Sequence, residues 1–258
     1  MKSGVLKSIM HLFLGRTIGQ AVIFAISPIL SRLFDPADYG AAGYILSLGT
    51  MGAIIATLRY DLKFVTLRTA VAKNNLFFVC LAVVTFVSAA IFVLILGFRS
   101  AFPGGGREIS NLMLLSIVPI VWTNAIFNQV VPNYLTAFGL FGTISMSAVV
   151  CGLATAAIQL GLGWAGVGPM ALILGRSVGA LLGILAMVGP LYRTHFSRIA
   201  KSANWDRMRR LAKLFRKQAL VMLPSDLFNS SAAFMPVFVL PYFFGVETGG
   251  SYYFMFAI

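Results

Sequence analysis

Apolar residues along this chain come in long unbroken blocks. Runs of about twenty residues fall at 9–33, 40–58, 75–97, 111–133, 143–163, 167–190 and 218–244, and another opens at 251 and continues to 258. About twenty residues, at 1.5 Å per residue, cross the ~30 Å of bilayer hydrocarbon. Inside lipid every backbone N–H and C=O needs a partner, and a helix supplies it within one segment. Strands of a membrane barrel would instead show ~10-residue segments of alternating polarity. The pattern predicts an all-α integral membrane protein with seven spans and the start of an eighth. It divides into a six-helix N-terminal bundle at 1–191, a basic connecting segment at 192–217, and the beginning of a second bundle at 218–258.

Composition agrees with that division. Of 258 residues, 59% are hydrophobic and 10% charged, and the mean hydropathy is +0.90. Soluble domains run at roughly 45–50% apolar and about 25% charged. The first apolar run contains Arg16 and Gln20 and is too long and too polar for a signal peptide. Cys80 and Cys151 fall inside predicted spans, which points to packing rather than to a disulfide or a metal pair. Pro28, Pro119, Pro132, Pro224 and Pro236 mark kinks or span ends, tolerated where neighbouring helices satisfy the freed backbone groups.

The charge is lopsided. With the N-terminus in the cytoplasm, fifteen of the twenty Lys and Arg fall in cytoplasmic segments: Lys2 and Lys7, four from Arg59 to Lys73, and nine from Arg193 to Lys217. The outer loops keep Arg32, Arg99 and Arg107, with Asp35, Asp38, Glu108 and Glu247. That asymmetry sets the orientation. It also accounts for the formal charge of +13, so no nucleic-acid partner is needed. In the last basic segment Trp205, Met208, Leu211 or Ala212, and Phe215 share one helical face, with Arg207, Arg209, Arg210, Lys213 and Lys217 around the rest. This suits a helix lying on anionic membrane lipids.

Two nominal motifs fail on context. Asn229-Ser230-Ser231 has glycosylation spacing but lies within a span, and Gly104-Gly105-Gly106 lacks the Lys and Ser/Thr of a phosphate loop. His11 and His195 are isolated. No cofactor, metal cluster or nucleophile–base pairing suggests itself, and the chain does not read as an enzyme.

Polar residues inside the spans carry the chemistry, because an ionisable group at mid-membrane costs at least ~2.5–3.5 kcal/mol. Arg16 shares a face of span one with Gln20 and Ser27. Arg176 lies near the middle of span six, and Asp226 in span seven precedes Asn229 and Ser230. Span four has Asn124 and Asn128 one turn apart. Span five lines up Ser145, Ala148, Gly152, Thr155 and Gln159. Gly15 and Gly19, and again Gly175, Gly179 and Gly183, recur every four residues and would allow close helix contact beside each arginine. Asp226 has two readings: an ion-coupling group, or a partner of Arg176 or Arg16. Arg16, Gln20, Asn124, Asn128, Gln159 and Arg176 together suggest a cationic, hydrogen-bonding cavity suited to an anionic, hydroxyl-rich cargo.

Several stretches resemble a known family. They are Gly15-Arg16, Gln20 and the run Ser27-Pro28-Ile29-Leu30-Ser31-Arg32-Leu33-Phe34-Asp35-Pro36-Ala37-Asp38-Tyr39-Gly40. To these are added Leu58-Arg59-Tyr60-Asp61, Leu172-Ile173-Leu174-Gly175, Pro224-Ser225-Asp226-Leu227-Phe228-Asn229, Pro236 and Phe244-Gly245. Together they resemble the bacterial polysaccharide-biosynthesis membrane proteins, the O-antigen-flippase-like branch of the multidrug/oligosaccharidyl-lipid/polysaccharide exporter superfamily. Asp61 stands where that family has glutamate, and the loop 135–141 lacks the basic residues usual there. The superfamily is built as two six-helix bundles, so the chain corresponds to the first bundle and the opening of the second.

The resemblance implies transport of undecaprenyl-diphosphate-linked oligosaccharide across the bacterial inner membrane by alternating access. Surface polysaccharides (O-antigen, capsule or exopolysaccharide) would be the end product. The polymerase and glycosyltransferases of that pathway would be further partners. Arg16 would bind the diphosphate, and Arg59, Tyr60 and Asp61 would be a cytoplasmic family motif. Two alternatives stay open, a drug/cation antiporter of the same superfamily and an inactive truncated membrane protein.

Overall fold

The computed structural model describes residues 2–97, 111–201 and 203–257. Among these the secondary structure is helical throughout, and seven helices are long and apolar enough to cross a membrane. The chain is a multi-pass membrane protein. The elements are α1 (Lys2–Leu33), α2 (Pro36–Thr57), a 3-10 segment Tyr60–Thr66, α3 (Ala70–Gly97), α4 (Asn111–Ala125), a π turn Ile126–Val130 and α5 (Val131–Ala137). Then follow α6 (Phe141–Trp164), α7 (Pro169–Lys201), α8 (Trp205–Phe244) and α9 (Val246–Ala257). The expected spans coincide to within about five residues with the apolar stretches of these helices, and α1, α7 and α8 extend beyond them. The outer loop expected at 98–110, with Gly104-Gly105-Gly106, lies outside the described residues.

Helix α2 is the hub. Pro36 starts it with a fixed φ and no N–H to lose, and Asp38 Oδ2 accepts from the Asp35 N–H at 3.3 Å, half of a capping box. Its glycines let neighbours approach. A Cβ at Gly52 would lie 2.6 Å from a methyl of Val121 on α4, and Gly43 lies under the ring of Tyr253 on α9. The core between α2, α3, α4 and α7 buries Ile45, Leu76, Ile120, Val121 and Ile173 fully. Helix α2 ends abruptly: Leu58 and Arg59 take φ of 44° and 58°, a left-handed pair that side chains with a Cβ seldom adopt.

Helices α1, α6 and α7 pack by a different rule. A Cβ at Gly19 would sit 2.7 Å from the Ala148 carbonyl oxygen, and one at Gly152 would sit 2.6 Å from that of Gly19. Gly175 and Gly179 lie against Gln159 and Thr155, and Gly183 against Phe127. Lipid offers apolar side chains no driving force to leave it, so close approach through small residues supplies the van der Waals contact.

Two expectations change. The basic segment is not a separate helix: its first part, to Lys201, extends α7, and its second part, from Trp205, runs without a break into the seventh span as the 40-residue α8, ~60 Å long at helical rise. Its Met208, Leu211, Ala212 and Phe215 pack against the bundle core, and only Trp205 of that face stays exposed. An apolar face that meets protein has no need of lipid. The stub of the eighth helix also begins earlier, at Val246, directly after α8.

Candidate functional site

An open cavity of about 420 Å³ lies between α1, the α4–α5 segment, α6 and α7. Arg16 and Gln20 of α1, Asn124 of α4, Asn128 of the π turn and Arg176 of α7 all line it. Five of the six cavity candidates named from sequence are thus neighbours around one space. The sixth, Gln159, is one layer away: it lines a smaller space of about 60 Å³ that Arg176 and Thr155 also border. Its Nε2 donates to the Leu172 carbonyl at 3.3 Å, bracing α6 against α7.

The local sequence explains this placement. On α1 and α7 the arginines sit next to glycines that are pressed into α6, so each guanidinium emerges at the rim of a helix contact. In span four Pro132 has no N–H and its ring crowds the carbonyl four residues back. The helix relieves this with the π turn Ile126–Val130, a device frequent at functional sites. Phe127 and Asn128 then both reach the cavity, and Asn128 Nδ2 donates to Asn124 Oδ1 at 3.1 Å.

Among the described residues no Asp or Glu lines either space. The charge in the larger one is that of two guanidinium groups, surrounded by amides and the hydroxyl of Ser147. Such a lining can bind phosphate or carboxylate through charge-assisted, bidentate hydrogen bonds and sugar hydroxyls through amides. Sequence reading left two polar groups out of the cavity set. Thr155 Oγ1 is buried without a hydrogen-bond partner between the two spaces, and Tyr253 of α9 borders the smaller one beside Arg176. Thr155 was visible in the polar face of span five, whereas nothing in the linear order ties Tyr253 to Arg176.

Asp226 is elsewhere. Its Oδ2 lies 2.6 Å from Arg59 Nε, so its partner is neither Arg16 nor Arg176. Asp226 lies near the start of the seventh span, at the same end of the bundle as the α2–α3 connection, and Arg59 is the cation within reach. The Arg59 N–H is not aligned on the carboxylate, which makes the contact a Coulombic pair. The neighbouring groups complete a second polar cluster at this basic end. Tyr60 Oη donates to the Ala212 carbonyl of α8 at 3.0 Å, and Asn133 Nδ2 donates to Asp61 Oδ2 at 2.7 Å. Thr57 Oγ1 donates to Gln129 Oε1 at 3.0 Å. Burial pushes the Asp61 carboxyl above its usual range, opposed by the Arg59 charge and by the hydrogen bond from Asn133. Burial likewise raises the Tyr60 phenol, against the pull of Arg216.

Cys80 and Cys151 are free thiols, Cys80 fully buried in the core and Cys151 on the cavity wall. No family model, curated protein or solved structure matches the chain.

Proposed function

We propose that the chain is part of a flippase that carries a lipid-diphosphate-linked oligosaccharide across the bacterial inner membrane, with its N-terminus and basic end in the cytoplasm. The observation that carries this reading is the cavity wall, where Arg16 and Arg176 meet Gln20, Asn124 and Asn128, with no carboxylate among the described lining residues. Two guanidinium groups match a diphosphate, the amides match sugar hydroxyls, and the lipid tail remains outside in the bilayer. The resemblance of the Gly15–Gly40 and Leu58–Asp61 stretches to polysaccharide-exporting proteins points the same way. The concentration of basic residues at the end holding Tyr60–Thr66 and Trp205 supports the orientation. A cation antiporter would place acids in the cavity, and Asp226 is paired with Arg59 instead.

The test is leaflet translocation of a fluorescent undecaprenyl-diphosphate oligosaccharide in vesicles containing the protein. Arg16→Gln and Arg176→Gln are predicted to abolish translocation at unchanged abundance, since removing a cation relieves an insertion cost. The Lys variants should retain part of the activity, because Lys still binds phosphate as a point charge. Normal translocation by both Gln variants would remove the physical basis of the proposal.

A further inference from the structure

Away from the cavity, Asp61 is the one charged side chain among the described residues that is buried outright. One of its oxygens is satisfied by Asn133, while Oδ1 has no hydrogen-bond partner. A buried carboxylate in that state normally keeps its own counter-ion close. Here Arg59, two residues back, acts on it through its charge but rests against Asp226 on α8.

Among the described residues few other charges act on it. Asp61 meets the charge of Arg59 and, from α3, the thiol of Cys80, while on α8 Asp226 pairs with Arg59 and Arg216 acts on Tyr60. Helix α5, the π turn and the end of α2 contribute only the uncharged Asn133, Gln129 and Thr57. Lys73 is held on the Ala137 carbonyl at 2.6 Å and over the Phe138 ring.

We propose that Asp61 is a proton-binding site whose occupancy is set by Arg59. With Arg59 held on Asp226, the Asp61 carboxylate takes a proton from water on Oδ1 and becomes a neutral acid. When α8 withdraws, the guanidinium, still protonated, turns to Oδ1 and the carboxyl releases its proton to water. Two features suit this exchange. Arg59 lies on a backbone already strained into the left-handed region, and the partner it would leave sits on the span least embedded in the bundle, Val221–Phe244, with 6% of its apolar window buried. The site makes α8 position and proton occupancy two readings of one equilibrium. It does not depend on what the cavity carries.

Infrared titration of the full chain in lipid nanodiscs, labelled with ¹³C-aspartate, tests this. The expected result is a protonated-carboxyl band persisting well above the ordinary Asp value of ~3.9 and missing in Asp61→Asn. Asp61→Glu, which keeps the acid, moves the band to the unlabelled position and assigns it should the Asn variant fail to fold. Asp226→Asn frees Arg59 and is expected to lower the midpoint by about one pH unit or more, the effect of an opposite charge within ~4–6 Å. Arg59→Gln is expected to raise it. An Asp61 band titrating near ~3.9, or a midpoint indifferent to Asp226→Asn, would overturn the proposal.

Discussion

The cavity wall and the basic end of this bundle are held together in opposite ways. Along α1 and α6, backbones touch through Gly19 and Gly152, and on α7 the glycines let the side chains of Gln159, Thr155 and Phe127 lie directly on the helix. At the basic end, side chains do the holding across long sequence separations: Tyr60 to Ala212, Asn133 to Asp61, Asn75 to the Asn204 N–H, and Arg59 to Asp226. The difference has a physical consequence. Backbone contact leaves Arg16 and Arg176 at the cavity rim, where a cargo can use them. A polar network instead makes each member depend on the others and can be rearranged one partner at a time. One region is a rigid wall and the other is a joint.

The largest expected effect comes from attacking the wall. Gly152→Val puts a branched side chain where even a Cβ would meet the Gly19 carbonyl oxygen at 2.6 Å. Backbone on both sides cannot yield, so the loss should reach the upper part of the ~1–3 kcal/mol typical of overpacking, read as unfolding in a denaturing detergent titration. Wild-type stability in this variant would break the comparison. At the joint, Arg59→Ala and Asp226→Ala should each cost about 1 kcal/mol or less, as expected of a partly exposed pair, and their effects should be strongly non-additive in a double-mutant cycle. Additive losses would mean that the two side chains are not partners. A third substitution serves as a control for glycine as such. Gly161 lies inside α6 with nothing within 4 Å of its missing Cβ, so Gly161→Ala should stabilise by about 0.5 kcal/mol. A destabilisation there would show that glycine is required for reasons other than close packing.

The smallest effect is a pH slope. Because burial raises the folded-state pKa of Asp61, the folded protein binds the proton more tightly than the unfolded chain. Its contribution is therefore complete below the unfolded value near ~3.9 and is lost as pH rises through the raised one. Unfolding measured across that window should show stability falling with pH, and Asp61→Asn should flatten this component.

Much of this arrangement was legible in the linear sequence. Block length located the spans, because crossing ~30 Å leaves little freedom in helix length. Gly15, Gly19, Gly175 and Gly179 announced the close contacts, since spacing of four repeats on one helical face. The same spacing brought Arg16 and Gln20 to one face and Asn124 and Asn128 to another, and the structure joins these faces at one cavity. Pairings between distant segments were not legible. Asp226 could have met any cation at comparable depth, and only the three-dimensional packing of α8 selects Arg59. The amphipathic face at Trp205–Phe215 gave a real signal with two physical solutions, lipid or protein, and periodicity does not distinguish them.

The central claim is that the wall presents two cations to an anionic lipid headgroup. Native mass spectrometry of the protein with undecaprenyl diphosphate and with a hydrophobic cation of similar mass, for wild type and the Arg16→Gln/Arg176→Gln double variant, tests it most directly. The account predicts that wild type retains the lipid diphosphate in preference to the cation and that the double variant loses this preference. Equal retention of the lipid diphosphate by both proteins, or a wild-type preference for the cation, would contradict it.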